Sequence, residues 1–425
     1  MNVSEFWADE AEKFISGMNE SVQSSSNQWH ELGVVNILLA AEKDILILSE
    51  EAARSELFGY WAGLGIDLAA VDIFPVKNAD HFDSITQAIL LDEGNRAVCK
   101  DHFREGEGAG LFCFGYSEWE ERLSDEVGAA LMGSRSGINK LVNSKAFIKE
   151  LCIELSVPTP MGEICSSVDR LLEVSERLFD RFDSLIIKEP YGSSGKGMIM
   201  VRDTGRIRKM AAKFNNRFLA ERRSPVWIVE GWYEGKVASY NSQYLIFPSG
   251  EVQFMGHSEQ ALRNHVYEGN IISRDWHTET DDLLSTQQRR IAGELAKLGY
   301  YGLVGIDSVV CRDGAIFPII EVNGRMNMST YAFAMLELLH LSCYSFMKSY
   351  TIPLTVIMSL GEFIQHLGSE LFYERRDNRG IIVLGFAPKM DISPGIIRII
   401  LLYCGQSFTE ALHLREITEV KLKGL

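Results

Sequence analysis

The stretch LIIKEPYGSSGKGMIMVRD, residues 185–203, sets a glycine-rich segment between two short apolar runs. A Walker A loop would need GxxxxGK[ST], a hydroxyl behind the lysine for the metal, and a helix directly after it. Here the spacing is GSSGKG, Gly197 follows Lys196, and the run MIMV predicts a strand. The segment therefore joins two strands and is not a Walker A loop. Glycines admit positive φ and let backbone approach a ligand closely. The N–H groups of Gly192, Ser193, Ser194, Gly195 and Gly197, with the two serine hydroxyls, suit a phosphate. A flexible hairpin turn would look the same in isolation. Lys188 argues for the ligand: it enters the loop from an apolar run, where an ammonium is costly to bury unless an anion faces it. Lys145, on an upstream helix, offers a second phosphate contact or a solvated charge.

A second constellation lies in GIDSVVCRDGAIFPIIEVNGR, residues 305–325. Asp307 stands in one predicted strand, a turn at 312–314 reverses the chain, and Glu321 and Asn323 stand in the next. Period 2 puts Glu321, Asn323 and Arg325 on one face, and hairpin pairing brings Asp307 across from them. Two carboxylates and an amide oxygen suit Mg²⁺, with Mn²⁺ as the alternative, because such ions take oxygen ligands and borrow the rest from water and phosphate. A solvated surface hairpin is the competing reading, but Pro318, Ile319, Ile320 and Val322 embed Glu321 in apolar neighbours. WIVEGWY, residues 227–233, reads as a strand running into an extended linker. Glu230 and the backbone after it could read an adenine edge, with Trp232 or Tyr233 packing nearby or serving as core.

Composition limits what partners are expected. Net charge is −16, so a general nucleic-acid groove is excluded, since phosphate backbones demand a basic face. Seven scattered cysteines without a CxxC pair suit a reducing cytoplasm and neither a disulfide framework nor a zinc site. The N-terminus lacks the layout of a signal peptide. The run IIRIILLYC from Ile396 contains Arg398 and is about half the ~20 residues a bilayer requires. It predicts a buried helix or strand, and the chain is expected to be soluble, without a membrane segment.

Residues before about 130 alternate strand-like and helix-like runs. DILILS, VDIFPV and GLFCFGYS predict strands; EEAARSELFGYWAGLG and EWEERLSDEVGAALMG predict helices. Such alternation indicates an α/β layer. The middle of the chain, from the helix NSKAFIKELCIELS to the metal hairpin, reads as α+β.

Lys145, Lys188, GSSGKG, VEGWYEG, Asp307 and Glu321-Val-Asn-Gly-Arg325, in that order, resemble the ATP-grasp superfamily. The run from Asn378 is similar to the extra domain of the pheganomycin-type peptide ligases, a group close to ligases that load glutamate onto a carrier protein in butirosin-type antibiotic biosynthesis. The resemblance implies an ATP-grasp fold, α/β plus α+β, with a pre-ATP-grasp α/β domain at 1–135, a nucleotide- and metal-binding domain at 136–335 and a small C-terminal mixed region at 336–425. It also implies ATP and Mg²⁺ as cofactors. Lys145 and Lys188 would hold the α- and β-phosphates, residues 192–197 would close on the terminal ones, and Glu230 with the following backbone would hold adenine. Asp307, Glu321 and Asn323 would carry the metal, and Arg325 would steady the transferring phosphoryl group. An acidic ribose contact common in the family has no counterpart here: Glu234 comes early, and Val237 and Ser239 are not acidic. The implied activity is ADP-forming ligation of an amino-acid or peptide carboxylate to an amine or to the phosphopantetheine thiol of an acyl carrier protein. Arg263 and Arg274 are candidates for clamping a substrate carboxylate. Arg202, Arg206, Arg208, Lys209 and Lys213 could form a docking patch for an acidic carrier or a plain solvated face. A homodimer is compatible with this reading, as is a non-catalytic nucleotide-binding protein.

Overall fold

The computed structural model describes residues 32–42, 44–69, 71–104, 110–192, 197–210, 226–263, 266–272, 279–354, 356–389 and 395–425. The chain divides into two compact units. The first comprises Met1–Ser136, Glu268–Trp276 and Arg325–Leu425; the second comprises Gly137–Tyr267 and His277–Gly324.

In the first unit, the strands Ile45–Ser49 and Asp72–Val76 pair in parallel, Ile45 opposite Asp72. They share a core with the helices Ile85–Leu91, Glu93–Arg104 and Glu118–Val127, through Phe74, Ile89, Cys99 and Leu123 among others. Ser117 and Glu120 close a capping box at the start of the last of these, which satisfies backbone donors that the first turn cannot. Two sequence expectations are corrected here. EEAARSELFGYWAGLG is not one helix: a 3₁₀ turn at Ala52–Arg54 gives way at Ser55, whose hydroxyl accepts the Leu57 N–H at 3.3 Å, before the helix Leu57–Gly63. Serine competes with the helical ladder in this way. GLFCFGYS forms a strand only at Gly110–Leu111, because the Cys113 N–H turns to the Tyr116 hydroxyl at 3.2 Å.

The C-terminal part of this unit is antiparallel. Tyr344–Leu354 pairs with Gly269–Ile272 on one side and with Gly395–Gly405 on the other, and Gly380–Lys389 completes the set. The apolar run around Arg398 is thus a strand. Residues from both ends of the sequence meet on Val383. Its carbonyl accepts Trp61 Nε1 at 2.8 Å and its N–H donates to the Tyr60 hydroxyl at 3.3 Å. Trp61 itself is fully buried.

The second unit holds two antiparallel sheets. One has the order Gly162–Cys165, Trp227–Gly231, Leu185–Lys188, Met198–Val201, so the glycine loop joins two strands, as its sequence predicts. The helix Val168–Phe179 packs on it through Leu171, Val174 and Leu178. The other has the order Ile316–Asn323, Gly302–Cys311, Lys236–Ile246, Val252–Arg263. The helices Lys145–Glu154 and Glu279–Lys297 cover it around Ile148, Cys152, Ile291 and Leu295. No helix among the described residues is long and apolar enough to cross a membrane.

All seven cysteines are buried and unpaired to one another by disulfides. Burial pushes the Cys99 thiol up to about 12 and the Cys165 thiol up to about 11, and an un-ionised buried thiol is a poor nucleophile. The native protein should therefore react negligibly with a thiol-specific chromogenic disulfide at pH 8, and all seven thiols should appear on denaturation. Trp61→Phe removes the donor to Val383 and should cost about 1–3 kcal/mol of stability in urea unfolding, since it leaves a buried carbonyl unsatisfied.

Candidate active site

The hairpin of Gly302–Cys311 and Ile316–Asn323 places Asp307 directly opposite Glu321 and Gly305 opposite Asn323. Opposed residues of an antiparallel pair project to the same face, where like charges repel. Two ionised carboxylates at this rung thus call for a cation. The Asp307 carboxylate is held by three amide groups: Oδ1 accepts from Asn241 Nδ2 at 2.7 Å and Gln260 Nε2 at 3.0 Å, and Oδ2 accepts from Asn323 Nδ2 at 3.3 Å. These donors orient the acid without adding charge. The strand ends at Gly324, whose N–H donates to Asn143 Oδ1 at 3.0 Å; a Cβ there would meet the Asn143 and Asn139 side chains at 2.9 and 3.0 Å. The donors are all oxygens, and two are anionic and half-exposed, a set that fits a hard divalent ion completed by water and phosphate. Among the described residues no group of three or more His, Cys, Asp or Glu is arranged for a metal; here the third donor is the Asn323 amide.

Lys145 connects this hairpin to the glycine loop. The Ser144 hydroxyl accepts the Phe147 N–H and starts the helix Lys145–Glu154. From its first turn, Lys145 Nζ reaches Glu321 Oε1 at 2.7 Å and the Gly192 carbonyl at 2.6 Å. The Lys145 N–H also donates to the Pro190 carbonyl at 2.8 Å. Gly192 and Gly197 both have positive φ, 142° and 75°, and the Glu189 N–H closes on the Gly197 carbonyl at 2.9 Å. The glycine requirement inferred from sequence is met at these two ends. Ser193, Ser194 and Gly195 lie outside the described residues.

One turn further along the same helix stands Lys149, which sequence reasoning passed over. The Glu230 carboxylate is 5% exposed and sits between two ammoniums: Oε1 is 2.8 Å from Lys149 Nζ and Oε2 is 2.5 Å from Lys188 Nζ. Burial alone pushes the Glu230 carboxyl up, but the charges and hydrogen bonds of Lys188 and Lys149 outweigh it and hold the group below the usual carboxylate range. The anion that Lys188 was inferred to need is therefore present within the protein. Glu230 thus gives one carboxylate oxygen to each lysine. The signal for Lys149 was its i,i+4 spacing from Lys145, which puts both on one helix face. Asn241 and Gln260 also went unnoticed. Asn241 shares one strand parity with the buried Ser239 and Gln243, an inverted pattern for a covered sheet.

Other candidates are less engaged. The Trp232 N–H donates to the Ser184 carbonyl at 2.9 Å. Tyr233 is half-buried and packs edge-on against Phe182 and Phe317, at 5.1 and 4.7 Å between centroids. Arg263 ends a strand, its side chain lying outside the described set together with all of Arg274 and Lys213. Arg325 belongs to the first unit, where its guanidinium lies 5.8 Å over the Phe114 ring and Nη1 donates to the Met326 carbonyl at 2.9 Å. Arg208 pairs with Glu176 at 3.2 Å, both exposed.

Replacing Glu230 by glutamine strands two buried ammoniums and should cost about 3–5 kcal/mol at pH 7. A carboxyl held below its unfolded value contributes stability above that value, about 4.3, and loses it as pH falls through the lower folded value. The gap between wild type and Glu230→Gln should thus be full at pH 7 and narrow below about pH 4, as read by urea unfolding across that range.

Residues 142–329 match the ATP-grasp domain family. The chain is 31% identical over 194 residues to the [butirosin acyl-carrier protein]–L-glutamate ligase of Niallia circulans, a match taking in 45% of this chain and 44% of that protein. It therefore spans less than half the length of this relative. Among solved structures, it is similar to the biotin carboxylase of Campylobacter jejuni in its β,γ-ATP complex, with a TM-score of 0.63 and 13% identity over 93% of this chain and 89% of the other. It is also similar to the phosphoribosylamine–glycine ligase of Thermotoga maritima, with a TM-score of 0.58 and 12% identity over 92% of this chain and 94% of the other. At such identities the likeness speaks for the fold alone. The hairpin that opposes two acids and the glycine loop between paired strands both lie within the matched residues 142–329, and the chain has the ATP-grasp fold.

Proposed function

We propose that this protein is an ATP-dependent, ADP-forming ligase that activates an amino-acid carboxylate, glutamate or a close analogue, and transfers the acyl group to the phosphopantetheine thiol of a carrier protein in a cytoplasmic antibiotic pathway. The observation that carries this reading is the pair of opposed carboxylates, Asp307 and Glu321, with Lys145 on Glu321 and on the entrance of the glycine loop. The choice of glutamate and a carrier thiol rests on the name of the Niallia circulans relative.

A carboxylate is a poor electrophile, so its oxygen attacks the γ-phosphorus of ATP, the bond to the bridging oxygen breaks, and ADP leaves with that electron pair. The acyl phosphate then meets the acceptor; sulfur or nitrogen adds to the carbonyl carbon, inorganic phosphate departs, and the acceptor gives up its proton. Protein groups contribute mainly position and charge. Asp307, Glu321 and Asn323 would hold the divalent ion, which supplies charge neutralisation at the phosphate oxygens. Lys145 and Lys188 would face the α- and β-phosphates. The backbone after Glu230 would read adenine, and Arg325, two residues beyond Asn323, is assigned to the charge that develops on the transferring group. An amine acceptor, giving a peptide bond, uses the same first step and is separated by experiment.

ADP release should appear with glutamate among the twenty amino acids, and only when a phosphopantetheinylated carrier is supplied; intact-protein mass spectrometry should then show the carrier heavier by one glutamyl group. ADP release with free amino acids alone, and a dipeptide product, would assign the amine acceptor instead. No ADP release with any combination would favour a nucleotide-binding protein without catalysis. Glu321→Ala should lower ADP release at least about a hundredfold while circular dichroism still shows a folded chain. Retained turnover would remove Glu321 from the metal set.

A further inference from the structure

Lys149 and Lys188 grip one carboxylate, yet they differ in what remains to each. An ammonium carries three N–H donors. Lys149 Nζ has three acceptors within reach: Glu230 Oε1 at 2.8 Å, the Pro160 carbonyl at 2.8 Å and Thr159 Oγ1 at 3.5 Å. It is satisfied by the protein and buried, with 4% of its side chain exposed. Lys188 Nζ, among the described residues, donates to Glu230 Oε2 alone. Both line the same water-sized cavity of about 10 Å³, together with Lys145, Thr159 and Glu230. One lysine is thus an anchor, and the other has donors left for a ligand.

The charge count gives the anchor a purpose. Two ammoniums around one carboxylate leave the cluster with one positive charge. Without Lys149, Glu230 and Lys188 would form a neutral pair, and in a buried setting that pair would hold Lys188 tightly to its partner. We propose that Lys149 is a positioning residue for nucleotide binding: by occupying Oε1 of Glu230 it stops that carboxylate from neutralising Lys188, and so keeps one positive charge available for phosphate. This rests on the reading above that Lys188 faces the nucleotide phosphates. Lys149 touches no substrate and acts only through Glu230.

The proposal has a signature that a merely structural lysine would not share. Lys149→Met makes the cluster neutral, whereas Lys149→Met combined with Glu230→Gln restores a single positive charge on Lys188. Binding of MgATP and of adenosine to the full chain, measured by titration calorimetry, should separate the possibilities. Lys149→Met should weaken MgATP about tenfold or more and leave adenosine, which has no phosphate, unchanged; the double variant should regain most of the MgATP affinity. Lys149→Gln, which keeps a donor for Pro160 and Thr159, serves if the methionine variant does not fold and should show the same loss. Unchanged MgATP affinity in the single variants, an equal loss for adenosine, or a double variant no tighter than Lys149→Met would each overturn the proposal. ADP release followed in parallel keeps the two readings apart: a wild-type chain that binds MgATP but releases no ADP defeats ligation and leaves this test standing, and a wild-type chain that binds no MgATP defeats both.

Discussion

Two acids face each other across one rung of an antiparallel ladder, Asp307 on one strand and Glu321 on the other. That juxtaposition costs free energy by itself, and much of the second unit is arranged around it. Asn241, Gln260 and Asn323 hold Asp307 with neutral donors, while Lys145 brings charge to Glu321 from the first turn of a helix. The same ammonium binds the carbonyl of Gly192. The hairpin and the glycine loop therefore share one lysine, and displacing either would disturb the other.

A second electrostatic centre lies one helical turn away. Glu230 is buried between Lys149 and Lys188, and such a cluster is costly to assemble because each charge must leave water. Hydrophobic side chains of similar volume would pack there at lower cost. Retaining two ammoniums and one carboxylate in that position makes sense where an external anion completes the set. The two centres lie on one helix, since Lys145 and Lys149 are four residues apart, and the cavity that both lysines line also includes Lys188 and Glu230.

The hairpin and its face were legible from strand period and the turn, but the rung was not. Counting on from Val310–Ile316 and Val309–Phe317 would set Asp307 opposite Ile319, and a register shift between Asp307 and Val309 brings it opposite Glu321. Lys188 was legible as a buried cation in an apolar run. Its partner was not. Lys149 and Glu230 are 81 residues apart, and their meeting depends on how a helix docks between two sheets, which no local pattern encodes. The contact of the Glu230 carboxylate with Lys149 and Lys188 was consequently missing from the sequence reading. The break at Ser55 and the shortened strand at Gly110–Leu111 were hidden for a related reason: single hydrogen bonds donated by backbone N–H groups to the Ser55 and Tyr116 hydroxyls overrode runs that favoured longer elements.

The grip of Tyr60 and Trp61 on Val383 joins residues 322 positions apart, and this bears on how the polypeptide is made. The second unit has all its strands once synthesis passes Gly324, whereas the first cannot close until the ribosome has delivered its last strands. At about 5–20 residues per second, the indole of Trp61 waits roughly 15–60 s for its carbonyl. During that interval the indole N–H lacks the carbonyl that satisfies it in the finished fold.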